Sequence, residues 1–204
     1  FPLLAKTQFP DVNSLQYVFL GPLVGALSRA ATGWISDKFG GGRVTFWTFI
    51  VMIAAVGGVL YVLGIKDQPG AFWGFFAMFM VLFFATGVGN ASTFQMIPII
   101  MRKELSRIMP GVSPADRLRN AEKESAAIIG FTSAIAAYGA FLIPKAYGTS
   151  IALTGAPLGA LWGFMVFYVS CALMTWWVYT RPQGLLHNIE RGREQLEAAP
   201  QPAQ

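Results

Sequence analysis

A single arginine interrupts an otherwise uncharged stretch, Ser14–Ser36, and this feature most restricts how the chain can fold. The stretch reads SLQYVFLGPLVGALSRAATGWIS. A run of about 20 apolar residues is long enough to cross a bilayer as a helix. A guanidinium near the centre of such a helix costs at least about 2.5–3.5 kcal/mol on insertion scales, and arginine keeps its proton at any accessible pH. Arg29 therefore needs a compensating partner.

The composition is that of a membrane protein. Of the 204 residues, 54% are hydrophobic and 12% are charged, and the mean hydropathy is +0.52. Soluble domains of this size are much less apolar. The long uncharged runs predict an all-α membrane protein with five transmembrane helices, at residues 14–36, 44–64, 71–101, 125–143 and 158–179.

The segments between and around these spans are polar. Residues 1–13 are expected to be the end of an earlier helix and an external loop. Residues 102–124 form a charged loop in which Ser113, followed by Pro114 and Asp116, predicts the start of a helix that leads into the fourth span. Pro144 is expected to end the fourth span, with a loop over 145–157. The tail, residues 181–204, is rich in Pro, Ala and Gln at its end and is expected to be disordered.

The distribution of Lys and Arg predicts the orientation of the spans. The turn at 37–43, the loop at 102–124 and the tail together carry eleven basic residues, whereas the other side has only Lys6, Lys66 and Lys145. The positive-inside rule then places the N-terminus outside and the C-terminus in the cytoplasm. Because this bias explains the net charge of +5, no nucleic-acid partner is expected.

Three interpretations of Arg29 remain open. The five predicted spans contain no Asp, Glu, Lys or His. Arg29 could pair with a carboxylate from outside this chain, it could extend its side chain to the membrane surface, or it could bind an anionic substrate. We favour the anion. Arg29 also shares a helix face with Gly21, Gly25 and Gly33, where a ligand or another helix can come close.

The turn after the first span has a recognisable pattern, GWISDKFGGGR. Its spacing, from Gly33 through Asp37, Lys38 and Gly40 to Arg43, resembles the cytoplasmic-loop motif of the major facilitator superfamily. Gly33 allows a close helix crossing, and Asp37 can accept hydrogen bonds from a helix N-terminus and pair with Arg43. Such contacts could hold a cytoplasmic gate shut. The alternative is an ordinary tight, charged turn.

Two further stretches combine small and polar residues. The third span contains GVGNASTFQM, in which Asn90 is a candidate pathway residue. In the fourth span Gly130 and Ala134 form a row of small residues, and Ser133 adds a hydroxyl beside it. Either stretch could line a substrate pathway or could simply pack closely against another helix.

Taken together, these stretches resemble the nitrate/nitrite porter family of the major facilitator superfamily. The similarity rests on AKTQFPDV, GPLVGALSRAATGWISDKFGGGRVT, STFQMI, GFTSAIAAYGAFLIPKAYG and ALTGAPLGA. It implies that the spans correspond to helices eight to twelve of a twelve-helix carrier, and that residues 14–180 are most of its C-terminal half. The chain is therefore expected to be a fragment whose partners are nitrate, nitrite, the lipid bilayer and a missing N-terminal half.

The resemblance also assigns roles to particular residues. Family members bind the anion between two arginines, one in each half, and Arg29 matches the second. The helix-eleven signature matches Gly130–Pro144, with the Ser133 hydroxyl near the substrate. Two signature glycines are replaced, by Ala136 and Ala140, which narrows this face. The first-half arginine has no counterpart in this chain.

The expected function is transport of nitrate and nitrite across the inner membrane of a bacterium, in nitrate assimilation. Exchange of nitrate for nitrite by alternating access is favoured, since these spans offer no carboxylate as a proton relay. Nitrate–proton symport is the alternative within transport, and a non-transporting membrane sensor or assembly partner is the alternative outside it. An enzyme is not expected, nor is a metal or another cofactor, because the only histidine, His187, stands without partners in the tail.

Overall fold

A computed structural model describes residues 1–109 and 111–181, and every regular element in those ranges is helical. Its helices are joined by short connections. They are α1 (Pro2–Gln8), α2 (Leu20–Ala31), α3 (Gly33–Phe39), α4 (Gly41–Gly64), α5 (Ala71–Ile108), α6 (Pro114–Thr154) and α7 (Leu158–Thr175), with a 3₁₀ turn at Ser14–Tyr17 and a π-helical turn at Trp176–Thr180. The expected disorder of the tail concerns residues outside the described part.

Four of these helices are long and apolar enough to cross a membrane, and the count rises to five if a bent pair forms one span. The four are α4, α5, α6, and α7 with the π-helical turn. The bent pair consists of Ser14–Ala31 and Gly33–Phe39 and covers the first predicted span. The prediction of an all-helical chain with up to five spans is confirmed at this level.

The first span is not the single straight helix that was predicted, because the chain bends by 44° between α2 and α3. The bend is at Thr32, whose backbone leaves the helical region at φ −105° and ψ 4°. The Thr32 hydroxyl donates a hydrogen bond of 2.6 Å to the carbonyl of Ser28, which also accepts from the Thr32 amide at 3.0 Å. Bonding of a threonine hydroxyl to the preceding turn is a known cause of helix bending.

Within the charged segment at 102–124, the structure differs from the prediction at the start, because residues 102–108 continue α5. Helix α5 continues unbroken past Pro98 to Ile108, and α6 already begins at Pro114. The predicted helix start is confirmed: the Asp116 amide donates a hydrogen bond to the Ser113 hydroxyl at 3.2 Å. The long uncharged run at 71–101 therefore belongs to a helix that extends beyond one membrane thickness.

The prediction that the helix of the fourth span ends at Pro144 is wrong. Helix α6 passes through Pro144 and stops at Gly155, which adopts φ 69°. A proline removes one backbone hydrogen bond but is tolerated within long membrane helices. Glycine in the left-handed region is a stronger stop signal, so the loop predicted at 145–157 shrinks to the few residues before α7.

The buried core lies where α1, α4, α5 and α7 meet. Val59 and Phe75 are fully buried, and Leu161 of α7 and Leu4 of α1 are each 1% exposed. The rings of Phe75 and Phe79 have centroids 4.8 Å apart. The first residues of the chain, predicted to be the end of an earlier helix, thus form part of this core.

The apolar part of α6 has a different environment. None of the most apolar stretch of α6 is buried within the described residues, whereas 33% of the corresponding stretch of α5 is buried. A helix that is apolar all round needs a covering of lipid or of other helices. This surface is therefore available to lipid or to polypeptide beyond the described residues.

Candidate functional site

Arg29 lies in the last turn of α2, with its side chain exposed. Its guanidinium carbon is 5.0 Å from the ring centroid of Phe94 on α5. Such a cation–π contact contributes about 0.5–2 kcal/mol, which is less than the ~2.5–3.5 kcal/mol that a central arginine costs on insertion scales. Phe94 therefore orients Arg29 but does not fully compensate its charge.

No carboxylate forms a salt bridge with Arg29 in the part of the chain that the structure describes. The salt bridges in that part join Arg102 to Glu122 at 4.0 Å and Arg107 to Glu104 at 2.9 Å. Both lie at the ends of α5 and α6, away from Arg29 in sequence. The planar guanidinium of Arg29, which has the geometry to bind a flat oxyanion, thus has no acidic partner among the described residues.

The backbone next to Arg29 is held by an unusually close approach of α2 to α5. A Cβ atom added at Gly87 of α5 would lie 3.0 Å from the backbone nitrogen of Arg29 and would clash with the Ser28 hydroxyl and the Gly25 carbonyl. The Ser28 hydroxyl is itself tied to the Gly25 carbonyl at 3.0 Å. Only glycine fits at position 87, and this contact fixes where Arg29 leaves the helix.

The predicted row of small residues does face another helix. A Cβ at Gly21 would clash with the Phe83 ring, one at Gly25 would lie 3.4 Å from the Phe83 carbonyl, and one at Gly33 would lie 2.8 Å from the Gln95 amide nitrogen. All of these neighbours are on α5. The face shared by Gly21, Gly25, Arg29 and Gly33 is therefore the contact surface between the first span and α5.

Asn90 lies on α5 one helical turn before Phe94, so the two side chains point to the same side. Asn90 is half-buried, and its side-chain oxygen is buried without a hydrogen-bond partner. Nearby, the Ser92 hydroxyl bonds across to Thr45 of α4 at 2.8 Å. In the polar segment of α5, Ser92 thus helps to hold α5 against α4. Asn90 has a side-chain oxygen without a hydrogen-bond partner, one helical turn from Phe94.

Gly130, Ser133 and Ala134 lie on α6, and all three are exposed. A Cβ added at Gly130 would meet nothing within 4 Å. No hydrogen bond connects these residues to Arg29 or Asn90 within the described ranges. The structure therefore leaves the α6 stretch apart from Arg29 and does not assemble the two into one pocket.

The motif between α3 and α4 has a different shape from the turn that was predicted. Asp37 and Lys38 are helical residues of α3, and Arg43 is already in α4, so the turn narrows to Gly40 at φ 84°. Asp37, Lys38 and Arg43 are exposed. The predicted pairing of Asp37 with Arg43 is not among the two salt bridges above, and Lys38 instead has its amine 5.6 Å from the Phe39 ring centroid.

Sequence reasoning missed the contributions of Phe94, Ser28 and Gln95. Phe94 lies within the polar segment of α5, between Thr93 and Gln95. An aromatic ring among polar residues was the one feature of the sequence that could have indicated its contact with a cation. The Gln95 oxygen is buried without a partner beside the bend, yet its position against Gly33 depends on how two distant segments pack. Only their long-range packing reveals these contacts.

Comparison with known proteins connects this geometry to transport. No family model matches the chain. The chain is 51% identical over 183 residues to the nitrate/nitrite transporter NarU of Salmonella typhimurium and 48% identical over 183 residues to NarU of Escherichia coli. It is homologous to one segment of these nitrate/nitrite transporters. It is also 34% identical over 187 residues to the probable nitrate/nitrite antiporter NarK2 of Thermus thermophilus.

Each of these matches includes 89% of this chain but only 37–39% of the relative. The chain thus spans about two fifths of the length of the curated relatives it matches. The resemblance to nitrate/nitrite porters is confirmed by these matches. With the apolar helices of the structure, they identify the chain as a multi-pass membrane protein.

Proposed function

We propose that this chain is the C-terminal portion of a nitrate/nitrite carrier of the major facilitator superfamily, located in a bacterial inner membrane. The observation that carries the proposal is Arg29, a permanent cation within a predicted span, oriented by the Phe94 ring at 5.0 Å and unpaired with any carboxylate of the described residues. An anionic substrate satisfies this charge. The names of the homologues support nitrate and nitrite as that substrate.

Arg29 binds the anion by donating two parallel hydrogen bonds from one edge of its guanidinium to two oxygens of a flat oxyanion. The side-chain NH2 group of Asn90, one turn from Phe94, donates a further hydrogen bond to the anion in this proposal. Binding at a site between helices that rock about it is the usual arrangement in alternating access. Binding of the anion and compensation of the Arg29 charge are then the same event.

Gly130, Ser133 and Ala134 complete the site when the rest of the carrier is present. Their exposed, thin face on α6 lets a small anion approach the backbone and the Ser133 hydroxyl. A second arginine from the other half, which the family resemblance implies, would bind the opposite side of the ion. The site is thus shared between this chain and polypeptide outside it.

The motif at α3 and α4 acts as the cytoplasmic gate. Gly33 and Gly40 provide the close crossing and the tight turn, and Asp37, Lys38 and Arg43 are exposed where partners from the other half can reach them. Charged contacts form in the closed state and break when the gate opens. This places the gating motif at the cytoplasmic end of the predicted topology, with the N-terminus outside.

We propose exchange of nitrate for nitrite as the mode of coupling. An empty carrier with an uncompensated Arg29 would reorient slowly because its charge is exposed to a low dielectric. The antiporter name of one homologue favours the same mode. Nitrate–proton symport remains the alternative, and it requires a titratable group outside these spans. A membrane sensor that binds without transport is the alternative from a different class.

The test uses a full carrier containing this segment, reconstituted in liposomes. Uptake of labelled nitrate is measured with and without internal nitrite, at zero and at imposed pH gradient. Exchange predicts uptake that requires internal nitrite and ignores the gradient, whereas symport predicts gradient-driven uptake into nitrite-free vesicles. Arg29→Lys, which keeps the charge but loses the planar fork, is expected to lower uptake at least tenfold, and Lys66→Gln serves as the control. Normal flux in a folded Arg29→Gln protein would sink the proposed site.

A further inference from the structure

A groove between α3, α4 and α5 includes Arg43 of the proposed gating motif, but its apolar walls have no role in the proposed transport mechanism. Its volume is about 380 Å³. Its walls are almost entirely apolar, and the residues that matter here are Phe39, Arg43, Trp47, Val51, Phe84 and Val88.

Arg43 is the only charged residue in the wall of this groove. It lies in the first turn of α4, at the end that the predicted topology places at the cytoplasmic surface. From Arg43 to Val51 the groove follows α4 for about 12 Å, at the helical rise per residue. The groove therefore has one cationic end at the membrane surface and an apolar length that points into the bilayer.

The charges around this end are positive on balance. The amine of Lys38 lies 5.6 Å from the ring of Phe39, which is itself part of the groove wall. Asp37 is adjacent on α3, and neither cation forms a salt bridge with it or with any other acid in the described part of the chain. An anionic group would thus be attracted to this end of the groove.

The apolar walls are open over the same length. Trp47 is 64% exposed, Phe39 is 54% exposed and Phe84 is 49% exposed. Tryptophan is enriched where a membrane meets water, because its ring is amphipathic. Large exposed apolar side chains that lead away from a surface cation match the polarity of a phospholipid, with its charged headgroup at the membrane surface and part of one acyl chain in the groove.

We propose that this groove binds an anionic phospholipid of the cytoplasmic leaflet. The headgroup phosphate binds Arg43, because a guanidinium donates paired hydrogen bonds to phosphate oxygens. One acyl chain follows the groove along Trp47 and Val51 of α4 and across Phe84 of α5. The inference depends on the proposed membrane orientation but not on the identity of the transported ion.

The test exploits Trp47 as a reporter within the groove. A full carrier containing this segment is placed in phosphatidylcholine nanodiscs that contain increasing fractions of brominated phosphatidylglycerol or of brominated phosphatidylcholine. The contribution of Trp47 is the difference in fluorescence quenching between the unmodified protein and Trp47→Phe. We expect half-maximal quenching of Trp47 at a fraction of phosphatidylglycerol at least threefold lower than that of brominated phosphatidylcholine.

Arg43→Gln is expected to abolish this preference, and Lys66→Gln, which removes a cation at the opposite side of the membrane, is expected to preserve it. Equal quenching by both lipids would overturn the proposal, as would a preference that survives Arg43→Gln. Quenching with no contribution from Trp47 would show that protein covers the groove, and it would also overturn the proposal.

A second measurement covers the case in which Trp47→Phe does not fold. Native mass spectrometry counts the phosphatidylglycerol molecules retained by the unmodified protein and by Arg43→Gln after extraction in mild detergent. Loss of one retained lipid in Arg43→Gln, but not in Lys66→Gln, supports the site. Equal retention contradicts it. Neither measurement uses nitrate, so failure here is distinct from failure of the transport proposal.

Discussion

The guanidinium carbon of Arg29 lies 5.0 Å from the centroid of the Phe94 ring, which joins the first span to α5 at the candidate anion site. On α5, Phe94 lies about two helical turns beyond Gly87, the point where the two helices touch. It orients the only cation of the predicted spans without neutralising it. An aromatic neighbour of this kind limits the positions that the arginine can adopt while leaving its charge available to a ligand.

Replacing Phe94 with leucine should weaken anion binding without unfolding the protein. The lost cation–π contact contributes about 0.5–2 kcal/mol to holding Arg29 in place. The KM for nitrate should therefore rise by roughly 2- to 30-fold. Initial rates of nitrate uptake into liposomes measure this change. Phe84→Leu on the same helix, which removes a ring away from Arg29, should leave KM unchanged. A Phe94→Leu protein with normal KM contradicts a role for the ring.

Gly87→Ala should push α2 away from α5. The added methyl group would meet the backbone of Gly25 and Arg29 as well as the Ser28 hydroxyl, and overpacking of this kind costs about 1–3 kcal/mol. Thermal unfolding in detergent should therefore occur at a lower temperature. Gly148→Ala on α6, where nothing lies within 4 Å, should be neutral or slightly stabilising. Equal unfolding temperatures for the two variants would contradict the close contact.

The buried hydrogen bond between Thr45 and Ser92, 2.8 Å long, should contribute measurably to the attachment of α4 to α5. Hydrogen bonds between membrane helices are worth about 0.6 kcal/mol on average and up to ~1.7 kcal/mol. A double-mutant cycle of Thr45→Val and Ser92→Ala, followed by denaturant unfolding in mixed micelles, should give a coupling energy in that range. Strictly additive effects would mean that the two hydroxyls do not stabilise each other.

Substitution by asparagine should destabilise the protein by different amounts at two of the turn glycines, Gly40 and Gly155. Gly155 lies at φ 69° and ψ −1°, close to the left-handed region that asparagine tolerates. Gly40 lies at φ 84° and ψ 128°, outside that region, where a side chain costs about 1–3 kcal/mol. Gly40→Asn should therefore lower the unfolding temperature much more than Gly155→Asn. The reverse order would contradict the geometry of the turn between α3 and α4.

Several features of the fold could be predicted because they depend on residues close together in the chain. The uncharged runs that became α4, α5, α6 and α7 reflect the hydrophobic thickness of a bilayer. The start of α6 follows from a serine hydroxyl that bonds an amide three residues later. The structure differs at the end of α5, because charged residues continue a helix readily at the membrane surface, and at the end of α6, because the helix passes through Pro144.

For the candidate site too, part could be predicted from the sequence and part depends on the tertiary structure. That Arg29 needs a compensating partner follows from the sequence by itself, since the predicted spans contain no acidic residue and arginine keeps its charge. Only the tertiary structure decided that Thr32 bends the first span, that Gly87 brings α2 against α5, and that Phe94 orients Arg29. These contacts join residues far apart in the chain, and their geometry depends on how whole helices pack. Local sequence determines where helices form, whereas close packing between them determines which side chains meet.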